Sequence, residues 1–293
     1  MPNSKVSRTT PETQARKRWT PPTGILGDLV QRSERRAEAL SARRKELEEK
    51  ARATPKPAPF AAALATDHVS VIAEIKRASP SRGPINPELS VDAQVRAYER
   101  GGARAISVLT EAELFGGSVD DVIAARRHAS LPILRKDFHV REVQLFEART
   151  VGASAALIIA RALAPTRLSD MVGAAGEIGI EALVEVRDEE ELEAALLSGA
   201  TLIGVNNRDL ESLDVDAHTV SRVIPYVPPN CVAIAESGYG SRASVEEAAR
   251  AGADAVLIGS YLSASGNPAE LLTELIFVPR HSRTSVGRAS ASS

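Results

Sequence analysis

At 293 residues with 43% hydrophobic content, the chain can bury one large core, as either two small domains or a single barrel. Lys and Arg total 36 against 38 Asp and Glu; a net charge of -2 gives no reason to expect a nucleic-acid or anionic-membrane partner, so phosphate recognition must be local. One cysteine, Cys231, excludes an intrachain disulfide framework and fits a reducing compartment.

No apolar run approaches the roughly 20 residues of a membrane-spanning helix, and the N-terminus lacks a hydrophobic signal core. A soluble cytoplasmic protein is therefore expected. Residues 1–23 read as a disordered tail, rich in Ser, Thr, Arg and Lys. From Gly24 to Arg52, short apolar groups (Ile25, Leu26, Leu29, Val30) alternate with dense charge, as in an amphipathic helix or pair of helices preceding the main domain. The segment TPKPAPF cannot continue a helix and should run extended.

After residue 70 a short aliphatic run, a turn and a stretch of helix length repeat in strict order. The runs are VIAEIK, AISVLT, PILRK, AALIIA, ALVEV, LIGVNN, VAIAE and AVLIG. Helices are predicted to begin near Val91, Val119, Arg141, Pro165, Glu189, Ala217, Ser244 and Pro268. Gly-Ala recurs before alternate strands, at Gly102, Gly152, Gly199 and Gly252, where a helix ending at glycine can return tightly into a strand. Continuously apolar strands in strict alternation with helices imply a parallel sheet buried on both faces. Eight such units fit a closed (β/α)8 TIM barrel over residues 24–278, with an N-terminal helical extension and a polar tail at 279–293 that is not expected to pack. No GxGxxG follows the first strand, which lowers a dinucleotide-binding alternative.

Barrel interiors are packed, so an ionisable residue within a strand needs a reason. Strand one carries Glu74 and Lys76, two residues apart and hence on one side. Strand three ends in Lys136-Asp137, strand five carries Glu185, strand six ends in Asn206-Asn207-Arg208-Asp209, and strand seven ends in Glu236-Ser237-Gly238. All lie at C-terminal strand ends, where barrel active sites are built. A buried ionic network that merely closes the mouth is the bland alternative, but such pairing seldom gains stability over apolar packing. Converging lysines and carboxylates would instead tune one another, and a lysine desolvated beside a second cation has a lowered pKa suited to proton donation.

Glycine and serine follow strands seven (ESGYGS) and eight (IGSYLS), where backbone N–H groups can surround a phosphate ahead of a short helix. Glycine-serine pairs alone are ordinary turn chemistry. The five histidines, His68, His128, His139, His218 and His281, lack ligand spacing, so surface or loop positions are expected and no metal is. Cys231 reads as a buried small apolar residue, and Trp19 as part of the tail.

With these residues in hand, AEIKRASPSRG, RKDF, LVEV, GVNNRDL, AESG and LIGS together resemble the indole-3-glycerol phosphate synthase family in order and spacing, over roughly Gly24 to Phe277. The resemblance implies ring closure, decarboxylation and dehydration of 1-(2-carboxyphenylamino)-1-deoxy-D-ribulose 5-phosphate in tryptophan biosynthesis, with no cofactor. It implies Lys136 as general acid, Glu185 as acid or base in the dehydration, and Lys76 facing the substrate's anionic groups and available to protonate the departing hydroxyl. Glu74 would orient Lys136, Glu236 and Asn206 would hold the lysines and the sugar hydroxyls, and Arg208 and Ser79 would complete the polar lining. Phe115 and Phe138 would wall the anthranilate ring, Ser237, Gly238, Gly259 and Ser260 would cradle the phosphate, and the helix from Gly24 would form a lid. The implied partner is this small molecule alone, for a monomer or weak homo-oligomer. Two rivals stand beside it. Phosphoribosylanthranilate isomerase would use a Cys/Asp pair, and Cys231 lies at the wrong strand end; a non-catalytic phosphosugar-binding barrel would have no need of both lysines and Glu185.

Overall fold

The structure is a computed structural model and describes residues 19–283. Residues 1–18 and 284–293, the greater part of the tails expected at 1–23 and 279–293, lie outside the described residues. Eight parallel strands close into a barrel: β1 (Ser70–Ile75), β2 (Ala105–Leu109), β3 (Ile133–Lys136), β4 (Ala155–Ile159), β5 (Glu181–Val186), β6 (Leu202–Asn206), β7 (Val232–Glu236) and β8 (Ala255–Ile258). Each pairs with its sequence neighbour, and β8 returns to β1 through Ser70 opposite Ala255. The strands are buried nearly throughout, which is why their sequences run continuously apolar instead of alternating.

Three helices precede the barrel: α1 (Gly24–Ser41), α2 (Arg44–Ala53) and α3 (Phe60–Leu64). Those that follow its strands are α4 (Val91–Arg100), α5 (Val119–His128), α6 (Glu142–Thr150), α7 (Pro165–Glu177), α8 (Glu189–Leu197), α9 (His218–Val223), α10 (Arg242–Ala251), α11 (Ser260–Ser263) and α12 (Pro268–Leu275). The Gly-Ala signals are helix ends: Gly102, Gly152, Gly199 and Gly252 have φ of 90°, 89°, 86° and 94°. After each, the alanine N–H reaches back to a helical carbonyl, as Ala103 does to Tyr98 at 3.0 Å and Ala253 to Ala248 at 3.0 Å. A left-handed residue there turns the chain straight into the next strand at no steric cost to glycine.

Two of these three preceding helices, α1 and α3, have different tasks. α1 buries Leu26, Leu29, Ser33 and Ala37, spaced as one helical face, against the C-terminal end of the barrel. Burial of Leu26 and Leu29 contributes roughly 2 kcal/mol each to holding it there. α3 closes the opposite end, where the Glu181 carboxylate at the start of β5 accepts the N–H groups of Phe60 and Ala61.

Residues 19–23 and 279–283, given to the tails by composition, make contacts with the barrel. Trp19 donates Nε1–H to the Arg161 carbonyl at 3.3 Å, and Arg161 in turn donates to the Thr20 carbonyl at 2.7 Å, so residues 19–23 lie on the barrel. At the other terminus Pro279 bridges to His68, and Arg280 and Arg283 pair with buried Asp254 at 2.9 and 2.8 Å. Composition misleads here because these polar side chains dock on fixed carbonyls and carboxylates instead of on an apolar face. Cys231 is buried, as expected. His139 is not on the surface: only 2% exposed, it donates Nδ1–H to the Leu157 carbonyl at 2.7 Å.

Candidate active site

A cavity of about 370 Å³ opens at the C-terminal end of the barrel. Strand register determines what lines it. Asn206 on β6 lies opposite Glu236 on β7, Glu185 on β5 lies opposite Gly204 on β6, and Lys136 ends β3 opposite Leu109. Every site residue expected from the sequence lines this cavity: Glu74, Lys76, Ser79, Phe115, Lys136, Phe138, Glu185, Asn206, Arg208, Glu236, Ser237, Gly238, Gly259 and Ser260. Convergence from seven of the eight strand ends follows from barrel closure, which brings residues distant in sequence to one mouth.

At the floor, the Lys136 ammonium donates to Glu236 Oε2 at 3.0 Å and to Glu185 Oε2 at 3.2 Å. The two carboxylates are 1% and 3% exposed, so the cluster is shielded from water. Burial alone would lower the Lys136 pKa, but Glu236, Glu185 and Glu74 outweigh it and hold the ammonium charged well above the usual lysine range. Glu236 goes the other way from a normal carboxyl: burial, with Glu185 adding to it against Lys136, pushes it up to about 8. Two buried acids converge on this one cation, and Glu236 Oε1 is buried without a hydrogen-bond partner among the described residues.

Glu74 does not hold Lys136 in the way the resemblance implied. Its Oε1 stands 3.7 Å from Lys76, and its Oε2 accepts from Ser107 at 3.2 Å. Glu74 projects from β1 toward its own neighbour two residues on, so it orients Lys76 while Glu185 and Glu236 orient Lys136. Lys76 is the lysine that burial lowers; Glu74 opposes the shift, and Lys136, Arg208 and Arg82 add to it. Its ammonium also stands 5.8 Å above the Phe115 ring. Of the two lysines, Lys76 is the one whose pKa is lowered, and Lys136 is the one that its carboxylates hold charged.

Two glycines make room for the acids. A Cβ at Gly204 would overlap Glu236 Oε1, and one at Gly259 would overlap Glu74 Oε1. Phe115 and Phe138 face each other with ring centroids 6.2 Å apart and form one apolar wall. Ile25 and Leu29 of α1 roof it, and α1 is fixed by Arg36 to Asp137 at 2.7 Å and by a hydrogen bond from Ser33 to the Phe138 carbonyl. Asn206 spends its carboxamide oxygen on the Arg208 N–H at 2.9 Å, and Arg208 donates to the Leu213 carbonyl at 2.7 Å. Opposite the aromatic wall, Ser237 and Gly238 both have positive φ, 65° and 92°. A serine held in the left-handed region is strained, and such strain concentrates where backbone groups are aimed at a ligand.

Sequence reasoning missed Arg82, which lines the cavity from a hairpin formed by Ala78–Ser79 and Gly83–Pro84. Its signal was its place inside the SPSRG loop beside Ser79. It also missed Glu111, fully buried, which accepts the N–H groups of Leu114 at 2.7 Å and Phe115 at 3.3 Å and so fixes the aromatic loop. Among the described residues no group of three or more His, Cys, Asp or Glu side chains is gathered as a metal site, and no helix is long and apolar enough to cross a membrane. A second cavity of about 330 Å³ adjoins the first, sharing Glu185, Asn206 and Arg208 as its wall.

The chain matches the family model for indole-3-glycerol phosphate synthase over residues 26–275. It is 46% identical over 236 residues to the indole-3-glycerol phosphate synthase of Mycolicibacterium vanbaalenii, covering 80% of this chain and 87% of that protein. It is 47% identical over 232 residues to the enzyme of the same description from Mycobacteroides abscessus, covering 79% and 85%. Among solved structures, the thiamine phosphate pyrophosphorylase from Pyrococcus furiosus matches with a TM-score of 0.54 at 15% identity, covering 71% of this chain and 93% of that one, a likeness of fold alone.

Proposed function

This chain belongs to the indole-3-glycerol phosphate synthase family, and from that premise we propose how its cavity carries out the reaction. The proposed substrate is 1-(2-carboxyphenylamino)-1-deoxy-D-ribulose 5-phosphate and the proposed class carbon-carbon lyase. The observation that carries this is the lining of a single cavity by Lys76, Lys136 and Glu185, with Phe115 and Phe138 on one side and the Ser237-Gly238 and Gly259-Ser260 turns on another.

The anthranilate ring lies against the two phenylalanines and the phosphate against the two glycine-serine turns, which sets the ketose carbonyl between the lysines. Lys136 hydrogen-bonds the carbonyl oxygen and protonates it as the ring carbon bearing the carboxylate attacks the carbonyl carbon. That new C–C bond leaves the ring non-aromatic, so the C–CO2 bond breaks, its electron pair restores aromaticity, and carbon dioxide departs. Lys76 then protonates the hydroxyl, which leaves as water, while Glu185 takes a C–H proton from the carbon next to nitrogen and the indole double bond forms. Overall one proton is consumed from solvent, as decarboxylation of a carboxylate requires. Lys76 suits its step because its lowered pKa makes it the better acid, and Lys136 suits its step because the carboxylates around it keep it protonated until the carbonyl oxygen develops charge. Neither a cofactor nor a metal has a role in this sequence of steps, and the proposed setting is the cytoplasm, with no macromolecular partner required.

The test supplies the carboxyphenylamino ribulose phosphate to the purified protein and follows indole fluorescence with and without chelator. A rising indole signal unaffected by chelator is expected. Absence of signal would favour a phosphosugar-binding barrel without chemistry, and loss of signal with chelator would overturn the metal-free mechanism.

A further inference from the structure

The lid helix α1 is tied down at its first turn by a carboxylate 188 residues away in sequence. Glu211 lies in the loop after β6, three residues beyond Arg208 and next to Leu210, both of which line the cavity. Its Oε1 accepts the Thr23 N–H at 2.5 Å and the Thr23 hydroxyl at 3.0 Å. Thr23 is the N-cap of α1 yet makes no capping bond of its own, and the first turn holds no acidic residue, so Glu211 supplies the negative charge this helix end favours. The same carboxylate receives Arg161, from the turn after β4, at 3.2 and 3.3 Å. Arg161 extends the tie to Thr20 and Trp19.

Three elements around the mouth therefore meet on one side chain: the β4 turn, the β6 loop and the lid. Ile25, two residues after Thr23, roofs the cavity with Leu29. For the roof to lift over an entering ligand, this fastening would have to open. An ion pair whose side chains are 27% and 28% exposed is weak enough to do so in the ordinary course. We infer that Glu211 is a positioning residue: it latches α1 and the Arg208 loop together over a bound substrate without touching it. The inference rests on the reading of the cavity given above.

The full-length chain is compared with Glu211→Ala, Glu211→Gln and Arg161→Met, reading kcat and KM for the carboxyphenylamino ribulose phosphate. Emission of Trp19, the only tryptophan, is read on the ligand-free proteins. Loss of a group that holds the closed form should raise KM in Glu211→Ala by about tenfold or more while kcat changes less than about threefold. Trp19 emission should shift to the red. Glu211→Gln, which keeps an acceptor for Thr23, should be milder, and Arg161→Met intermediate. KM within about twofold of wild type in any folded variant that removes the tie overturns the inference, as does an equal loss confined to kcat. If Glu211→Ala fails to fold, Arg161→Met decides by the same criterion. If the wild type turns over no substrate, the reading of the cavity has failed and the positioning role falls with it, an outcome distinguished by Trp19 emission that still differs between wild type and variant.

Discussion

Lys136 and Glu236 meet at 3.0 Å although 100 residues of chain separate them, and Glu185 completes the group at 3.2 Å from the same ammonium. One cation between two buried acids is a poor way to gain stability, because desolvation offsets most of the attraction. The arrangement makes sense as a device that keeps the Lys136 ammonium charged and in place.

Replacing Lys136 by Ala should lower kcat by about 10²- to 10⁴-fold, the usual contribution of a positioned acid, while product affinity changes little. Single-turnover indole fluorescence and a product titration check the two halves separately. Turnover near that of the wild type would falsify the role given to Lys136.

Gly204→Ala should damage catalysis from a position that no substrate touches. Its new Cβ overlaps Glu236 Oε1, so the carboxylate has to shift from the place in which its Oε2 accepts from Lys136. A displacement of this size costs roughly a hundredfold in rate. The check is kcat beside a thermal melt: an intact fold with unchanged kcat would show that Glu236 has no part in placing Lys136.

His139 should make the fold sensitive to mild acid. Burial, then Arg135, lowers its pKa to about 4, with Asp137 and the Leu157 hydrogen bond opposing. The unfolded chain therefore binds this proton first as pH falls, and stability drains away between about pH 6.5 and pH 4, by up to about 3 kcal/mol. Urea midpoints for wild type and His139→Leu should diverge across that window and run parallel above pH 7. Parallel behaviour throughout would refute it.

At the far end of the barrel, Arg283 donates to Asp254, to the Gly252 carbonyl, to the Cys231 carbonyl at 2.6 Å and to the Val227 carbonyl at 3.1 Å. Arg283→Ala should destabilise the protein by about 2 to 3 kcal/mol without altering kcat, since Asp254 retains Arg280. Denaturant unfolding beside an activity assay decides it; a midpoint equal to that of the wild type would mean that this end contributes nothing.

Period and composition were enough to read the barrel, because strands buried on both faces must be aliphatic and helices must end in residues able to turn left-handed. The cavity lining was readable too, since charges inside such strands have nowhere else to go than the mouth. What could not be read was pairing. Nothing in the sequence says that Glu74 turns to Lys76 and not to Lys136, because that depends on which way each side chain leans across the ring. Nor could local polarity reveal that Trp19 or Arg283 docks, as their partners, Arg161 and Asp254, are supplied by remote turns. His139 was misjudged for the same reason: its burial comes from the Leu157 strand above it and not from its own neighbours.

The described chain leaves the cylinder from opposite faces, beginning at Trp19 beside the lid and finishing at Arg283 under the floor. A fluorescent protein or surface tether attached at Arg283 would sit clear of the entrance. The same cargo attached at Trp19 would pull on the tie that holds the roof, so the two attachments should differ in how freely small molecules come and go.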